Sequence, residues 1–252
     1  MAEKQVQATE NTNALAVINT FAIAISGDDI KAIISENLGG EKIDQFGLDK
    51  VKVPSGGGTQ WEIPSITGEV TAPSIDGVIV AWKTVRSLYL TPFTGGGEPP
   101  VCSSDDGASG FGDPFESGMP VHGDCATCPR NQWGSSDKGG KKGKACAERR
   151  LLFILRKDDH IPLMVVAPPA SLKGMKAYFL RLLQAGVPYY GAMTSLTLAK
   201  DKSSEGITYS RIEAKALGIL DPEQQKVFSD YASFFGKIIQ SVRFDPDLVD
   251  SQ

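Results

Sequence analysis

The sequence predicts a mainly β protein of α+β class. Three observations carry this: strand-like apolar runs dominate the middle of the chain, only two strongly periodic helical segments follow them, and one long stretch has almost no aliphatic residues. The 252 residues are enough for a buried core, and 41% hydrophobic against 22% charged is an ordinary globular balance. That balance excludes a collagen-like chain, wholesale disorder and a polytopic membrane protein.

Residues 1–13 read as a polar tail. Ser26-Gly-Asp-Asp29 opens a helix through Ile33 and Ile34 that Gly39-Gly40 stops. The glycine triplet 56–58 is followed by Thr59-Gln60, without the Lys-Ser/Thr of a phosphate loop, so it reads as a tight turn before a strand ending at Pro64. Gly77–Leu90 is rich in Val, Ile, Trp and Tyr and reads as a strand; Trp82 on it reads as core. Residues 92–148 are Gly, Pro, Ser, Asp and Lys, too long for an idle loop in a compact domain.

Strands resume at Arg149–Arg156 and Ile161–Val166, joined by the turn Lys157–His160. Ser171 is placed as the cap of a helix carrying Leu172, Met175, Phe179, Leu182 and Leu183, stopped at Gly186. Ala192–Lys200 and Ile207–Leu217 are two more strands around the polar turn Asp201–Gly206. Asp221-Pro222-Glu223 starts a last helix with the stripe Val227, Tyr231, Phe234, Phe235, Ile238 and Val242, expected to pack on the chain's own barrel or otherwise to form an oligomer contact.

Without the insert, residues 77–217 run strand, strand, strand, helix, strand, strand. That is the element order of the OB-fold, a five-stranded Greek-key barrel whose ligand groove lies between the loop joining strands 1 and 2 and the loop joining strands 4 and 5. The expected organisation is an N-terminal extension at 1–70 packing on the barrel, a barrel at 71–220 with an insertion at about 92–148, and a C-terminal helix with a short acidic tail at 221–252.

All four cysteines, Cys102, Cys125, Cys128 and Cys146, lie in or at the edge of the insert. A CxxC pair delivers two thiolates from one turn, and two returning cysteines complete a tetrahedral structural Zn²⁺ site. The insert has hardly any apolar residue, so a metal staple would give it a means of folding. His122 could replace Cys102 as a ligand. No export signal precedes the cysteines, which argues for a reducing cytoplasmic location and against disulfides.

The net charge of −4 hides segregation. Residues 125–157 hold nine Lys/Arg against Asp137 and Glu148, while both ends of the chain are acidic. Trp133 among Arg130, Lys138, Lys141, Lys142, Lys144 and Arg149 suits single-stranded nucleic acid, with cations tracking phosphates and an indole stacking a base. Lys202 lies in the last strand connection, and Tyr209 and Arg211 share one face of the last strand, which could line the other flank of the groove or simply meet water. Alternatively Trp133 covers the zinc knuckle and the lysines are merely solvated. An Asp158-Asp159-His160 cluster is common turn chemistry, and no serine elbow, Walker motif or dinucleotide fingerprint is present, so catalysis is not expected.

The segment CATCPRNQWGS…GKACAERRLLFIL, inserted near the first strands of a barrel, resembles the zinc-containing OB-fold single-stranded DNA-binding proteins of phages and mobile elements, over roughly residues 75–217. The resemblance implies non-catalytic, sequence-tolerant binding of single-stranded DNA in replication or recombination. It also implies an acidic C-terminal tail that recruits partner proteins, here FDPDLVDSQ. One phage member of that family holds zinc with three cysteines and a histidine, so the ligand set here stays open between Cys102 and His122. The rival reading is a zinc-ribbon adaptor that binds another protein and no nucleic acid.

Overall fold

The computed structural model describes residues 17–18, 27–39, 41, 47–89, 100–112, 123–136, 143–157, 159–203 and 206–242. The centre of the molecule is the 15-residue strand β5 (Ser74–Leu88), about 50 Å of chain at the usual rise. Its length lets it serve three partners. Gly77–Ser87 pairs antiparallel with β7 (Ala147–Arg156) on one edge. On the other edge Ser74–Val78 pairs with β9 (Ala192–Lys202), and Arg86–Leu88 pairs with β6 (Cys102–Ser104). Gly77 is needed at the β5–β7 crossing, because a Cβ there would stand 2.5 Å from the Leu155 carbonyl oxygen.

β7 continues antiparallel into β8 (Leu163–Ala167), and β9 into β10 (Thr208–Leu220). The helix α2 (Pro169–Gln184) lies between β8 and β9 in sequence. The spatial order β9-β5-β7-β8, with β9 returning by a long connection to lie beside β5, is a Greek key. This arrangement agrees with the expected mainly β, α+β class.

The expected closed barrel is not there among the described residues. The sheet is mixed and open, with β2 (Lys50–Val51) parallel on the free edge of β8 and β1 (Val17–Ile18) parallel on the free edge of β10. These two short segments of the N-terminal region occupy the edges that would have had to meet. β3 (Trp61–Ile63) and β4 (Val70–Ala72) form a separate hairpin. The first helix is α1 (Gly27–Leu38), with Gly39 at φ 59° just past its end as anticipated.

β5, β7 and β8 bury side chains on both faces. On one face Val78, Val80, Leu151, Phe153 and Met164 pack against Phe228, Tyr231, Phe235 and Ile239 of α3 (Pro222–Ser241) and Val242 just past its end. On the other Ile79, Leu152, Ile154 and Val165 meet Met175, Tyr178 and Leu182 of α2, together with Trp61, Leu196 and Ile212. Trp61 is fully buried and its indole donates to the Leu196 carbonyl at 2.9 Å, so the 48–63 segment packs on the sheet.

Three local expectations are corrected. Ser171 is not a helix cap: Pro168 precedes a helix that begins with Pro169, and the buried Ser171 hydroxyl accepts from the Ile212 amide at 2.8 Å, tying α2 to β10. The buried stripe of α3 runs through Phe228 rather than Val227, which is 47% exposed. Cys102 sits on the strand β6, not in a loop. The Asp221 cap holds, accepting from the Gln224 amide at 2.8 Å.

Candidate metal centre and nucleic-acid interface

Both ends of the insert are anchored to the sheet. β6 pairs Cys102 with Leu88 at the end of β5, and Cys146 directly precedes β7. Between them, Asp124 folds the CxxC turn as an Asx turn, with Oδ1 accepting from the Ala126 amide at 3.0 Å and Oδ2 from the Thr127 hydroxyl at 2.8 Å. The Cys125 amide donates to the Ala108 carbonyl and the Cys146 amide to the Arg130 carbonyl. A short 3₁₀ turn, Pro129–Asn131, follows Cys128.

These bonds bring all four cysteines, from three separate segments, around one cavity of about 20 Å³. That is room for one small ion or water and no organic ligand. Among the described residues no group of three or more His, Cys, Asp or Glu is drawn in closely enough to form an assembled ion-holding cluster. The thiols share a cavity without closing on a point. Their mutual proximity still registers electrostatically. Burial first, then the charges of Cys125 and Cys128, push the Cys102 thiol up. Burial pushes Cys146 up to about 11, partly offset by the Arg86 cation. The cysteines are free thiols rather than disulfides. His122 lies outside the described residues.

Arg86 and Asn131, which the sequence reading did not single out, organise this cavity. Arg86 donates to the Gly107 carbonyl (2.9 Å) and to Asn131 Oδ1 (2.8 Å), and pairs with Glu148 at 2.7 Å. Asn131, buried, donates to the Cys125 carbonyl at 2.6 Å and accepts from Lys144 Nζ at 3.1 Å. The signal available in the sequence was an Asn two residues after Cys128-Pro129, a position where a short polar side chain can tie down a knuckle.

The expected nucleic-acid contacts divide. Trp133 is 72% exposed, so it does not shelter the cysteines, and Lys144 is exposed. Arg130 is half-buried in the 3₁₀ turn. Lys138, Lys141 and Lys142 lie outside the described residues. Arg149 is turned away from the cavity's side of the sheet: it donates to the Ser87 hydroxyl at 2.9 Å, and burial lowers its pKa. Arg211 is flanked by Asp201 at 3.3 Å and Glu213 at 2.8 Å, which offset its charge. Lys202 is exposed and Tyr209 half-buried on the β9–β10 hairpin. The pairing register puts that hairpin beyond the N-terminal end of β5 and the insert beyond its C-terminal end, so they form two flanks rather than one patch. Trp82, expected in the core, is 40% exposed.

Asp159, one member of the Asp158–His160 turn, pairs with Arg156 at 2.6 Å, and the His160 carbonyl accepts from the Tyr231 hydroxyl at 2.7 Å. Asp158 is outside the described residues. No helix among the described residues is long and apolar enough to cross a membrane. Comparison with protein-family models, with curated proteins and with solved structures finds no match to this chain.

Proposed function

We propose that the protein is a non-catalytic, cytoplasmic single-stranded DNA-binding protein acting in replication or recombination, with one structural zinc in its insert. The observation that carries this reading is the convergence of Cys102, Cys125, Cys128 and Cys146 on one ion-sized cavity, in an insert that also carries the exposed Trp133. The donor set suits zinc: four soft thiolates are the commonest ligands of closed structural sites. Zinc bound there would reverse the cost of burying thiolates and fold a segment whose described residues contribute no side chain to either hydrophobic cluster.

In this reading Trp133 stacks a base, while Arg130, Lys138, Lys141, Lys142 and Lys144 follow the phosphates. Arg149 and Arg211 take no part, being committed to Ser87 and to two carboxylates. The Greek key with α2 between its third and fourth strands supports an OB-related fold with its barrel left open. Its outward β7–β8 face is packed against α3, so the strand would run over the insert and the adjoining end of the sheet rather than across that face. The acidic residues Asp245, Asp247 and Asp250 would recruit replication or recombination proteins.

A titration with single-stranded DNA, duplex and RNA at two salt concentrations tests the proposal. Preferential, salt-dependent binding of single strands is expected. Equal or absent binding of all three would leave the zinc-ribbon adaptor as the better reading.

A further inference from the structure

Trp82 stands on β5 with one side backed by Phe179 of α2, their ring centroids 5.6 Å apart and nearly parallel at 24°. The Arg150 guanidinium of β7 lies 4.5 Å from the Trp82 ring centre and 5.7 Å from that of Phe179. Two features set this cluster apart from ordinary core packing. The indole keeps 40% of its surface exposed. Arg150 makes no ion pair among the described residues and its buried Nε has no acceptor; Glu148 lies near enough to favour its charge but is paired directly with Arg86. An aromatic face and a guanidinium without a direct ion pair side by side match an unpaired nucleotide, with a base to stack and a phosphate to bind.

The position is also informative. Trp82, Thr84 and Arg86 share one face of β5, and the turn at Gly107 rests directly on Thr84, where a Cβ would come within 2.7 Å. Arg86 then binds Asn131 of the insert. Trp82 therefore lies about 13 Å along the strand from the root of the insert. Asn131, two residues before Trp133, is thus held to the face of β5 that carries Trp82.

We propose that Trp82 and Arg150, supported by Phe179, form a second contact for single-stranded nucleic acid, with a base stacked on the open indole surface and its phosphate held by the guanidinium. This rests on the reading that the protein binds single-stranded DNA. It commits a different surface from the insert.

The three tryptophans make the test direct. Trp61 is fully buried, so in a Trp133→Phe variant the one solvent-accessible indole is Trp82. Binding of a labelled oligo-dT is followed by anisotropy and, in the same samples, tryptophan emission is recorded. The expected result is binding with saturable quenching that disappears in Trp82→Phe/Trp133→Phe. Arg150→Gln, which retains all three indoles, should weaken binding roughly 5- to 100-fold with zinc content unchanged. Binding with unchanged emission and an Arg150→Gln affinity equal to the parent's would overturn the second contact while leaving DNA binding intact. No anisotropy change in the unmodified protein would overturn the DNA-binding reading itself, and the contact with it.

Discussion

Arg86 on β5 reaches Asn131 of the cysteine insert at 2.8 Å, across 45 residues of sequence, and so joins the sheet to the knuckle. The same guanidinium holds Gly107 and Glu148, and the same amide holds the Cys125 carbonyl and Lys144. Hydrogen bonds to charged groups contribute about 1.5–3 kcal/mol each, and a stranded buried partner costs as much. Arg86→Ala and Asn131→Ala should each lower the local stability of the insert by about 2–3 kcal/mol. Hydrogen exchange of residues 100–146 should rise while that of β5 and β7 stays slow. Uniform exchange changes across both would show that the link is not local.

Removing the metal should act on the same region. Purified without added metal, the protein should contain one zinc per chain, and chelation should make the insert protease-sensitive while the sheet melts at nearly its original temperature. Cys125→Ser and Cys128→Ser should behave alike. Because protons compete for thiolates, zinc should be released as pH falls, and a colorimetric zinc indicator would follow it. A metal-free protein with a protease-resistant insert would falsify the staple.

Ser171 makes a single buried bond to the Ile212 amide. Ser171→Ala leaves that amide without a partner inside the protein, at a cost of about 1–3 kcal/mol in denaturant unfolding. Zinc content should not change, since the site belongs to the other end of the fold's connectivity. A neutral result would mean that α2 shifts to satisfy the strand by another route.

Phe235 is fully buried between α3 and the sheet and stacks on Tyr231 at 4.5 Å. Phe235→Ala should destabilise by about 3–5 kcal/mol. Deleting 221–252 should expose Val80, Phe153 and Met164 and give an aggregating or partly unfolded chain, as light scattering would report. A soluble, well-folded monomer after truncation would contradict the packing.

The strands and helices with strong internal periodicity were readable from sequence. β5, β7, β8, β9 and α2 lie within a few residues of expectation because their apolar runs and glycine stops are local signals. What could not be read is set by partners distant in the chain. Barrel closure depended on which segments take the edges of β8 and β10, and two-residue strands such as Lys50–Val51 carry no periodic signal. Ser171 looked like a cap because its partner, Ile212, is 41 residues away. Phe228 and Val227 are neighbours of similar apolarity, and only the angle at which α3 meets the sheet separates them. In the site, cysteine spacing pointed to one cavity, but the directions of Arg149 and Arg211 follow from strand face and carboxylate neighbours that composition does not reveal.

Charge and stacking on the insert should be separable. Trp133→Ala should cost on the order of 1–3 kcal/mol of single-stranded DNA affinity, the usual worth of one stacked base, without altering the salt dependence. Trp133→Phe, which keeps an aromatic face, should recover much of it. Equal losses for both would point to a structural role for the indole instead.

The salt dependence of single-stranded DNA affinity, measured for the unmodified protein and for the Lys141→Ala/Lys142→Ala/Lys144→Ala variant, tests the central claim most directly. The affinity of the unmodified protein should fall with salt at a log–log slope of about −0.7 per phosphate neutralised. The variant should show a shallower slope, by up to about 2, with every sequence weakened alike, because phosphate contacts carry no base information. Identical slopes for the two proteins, or no preference for single strands over duplex at moderate salt, would contradict the account.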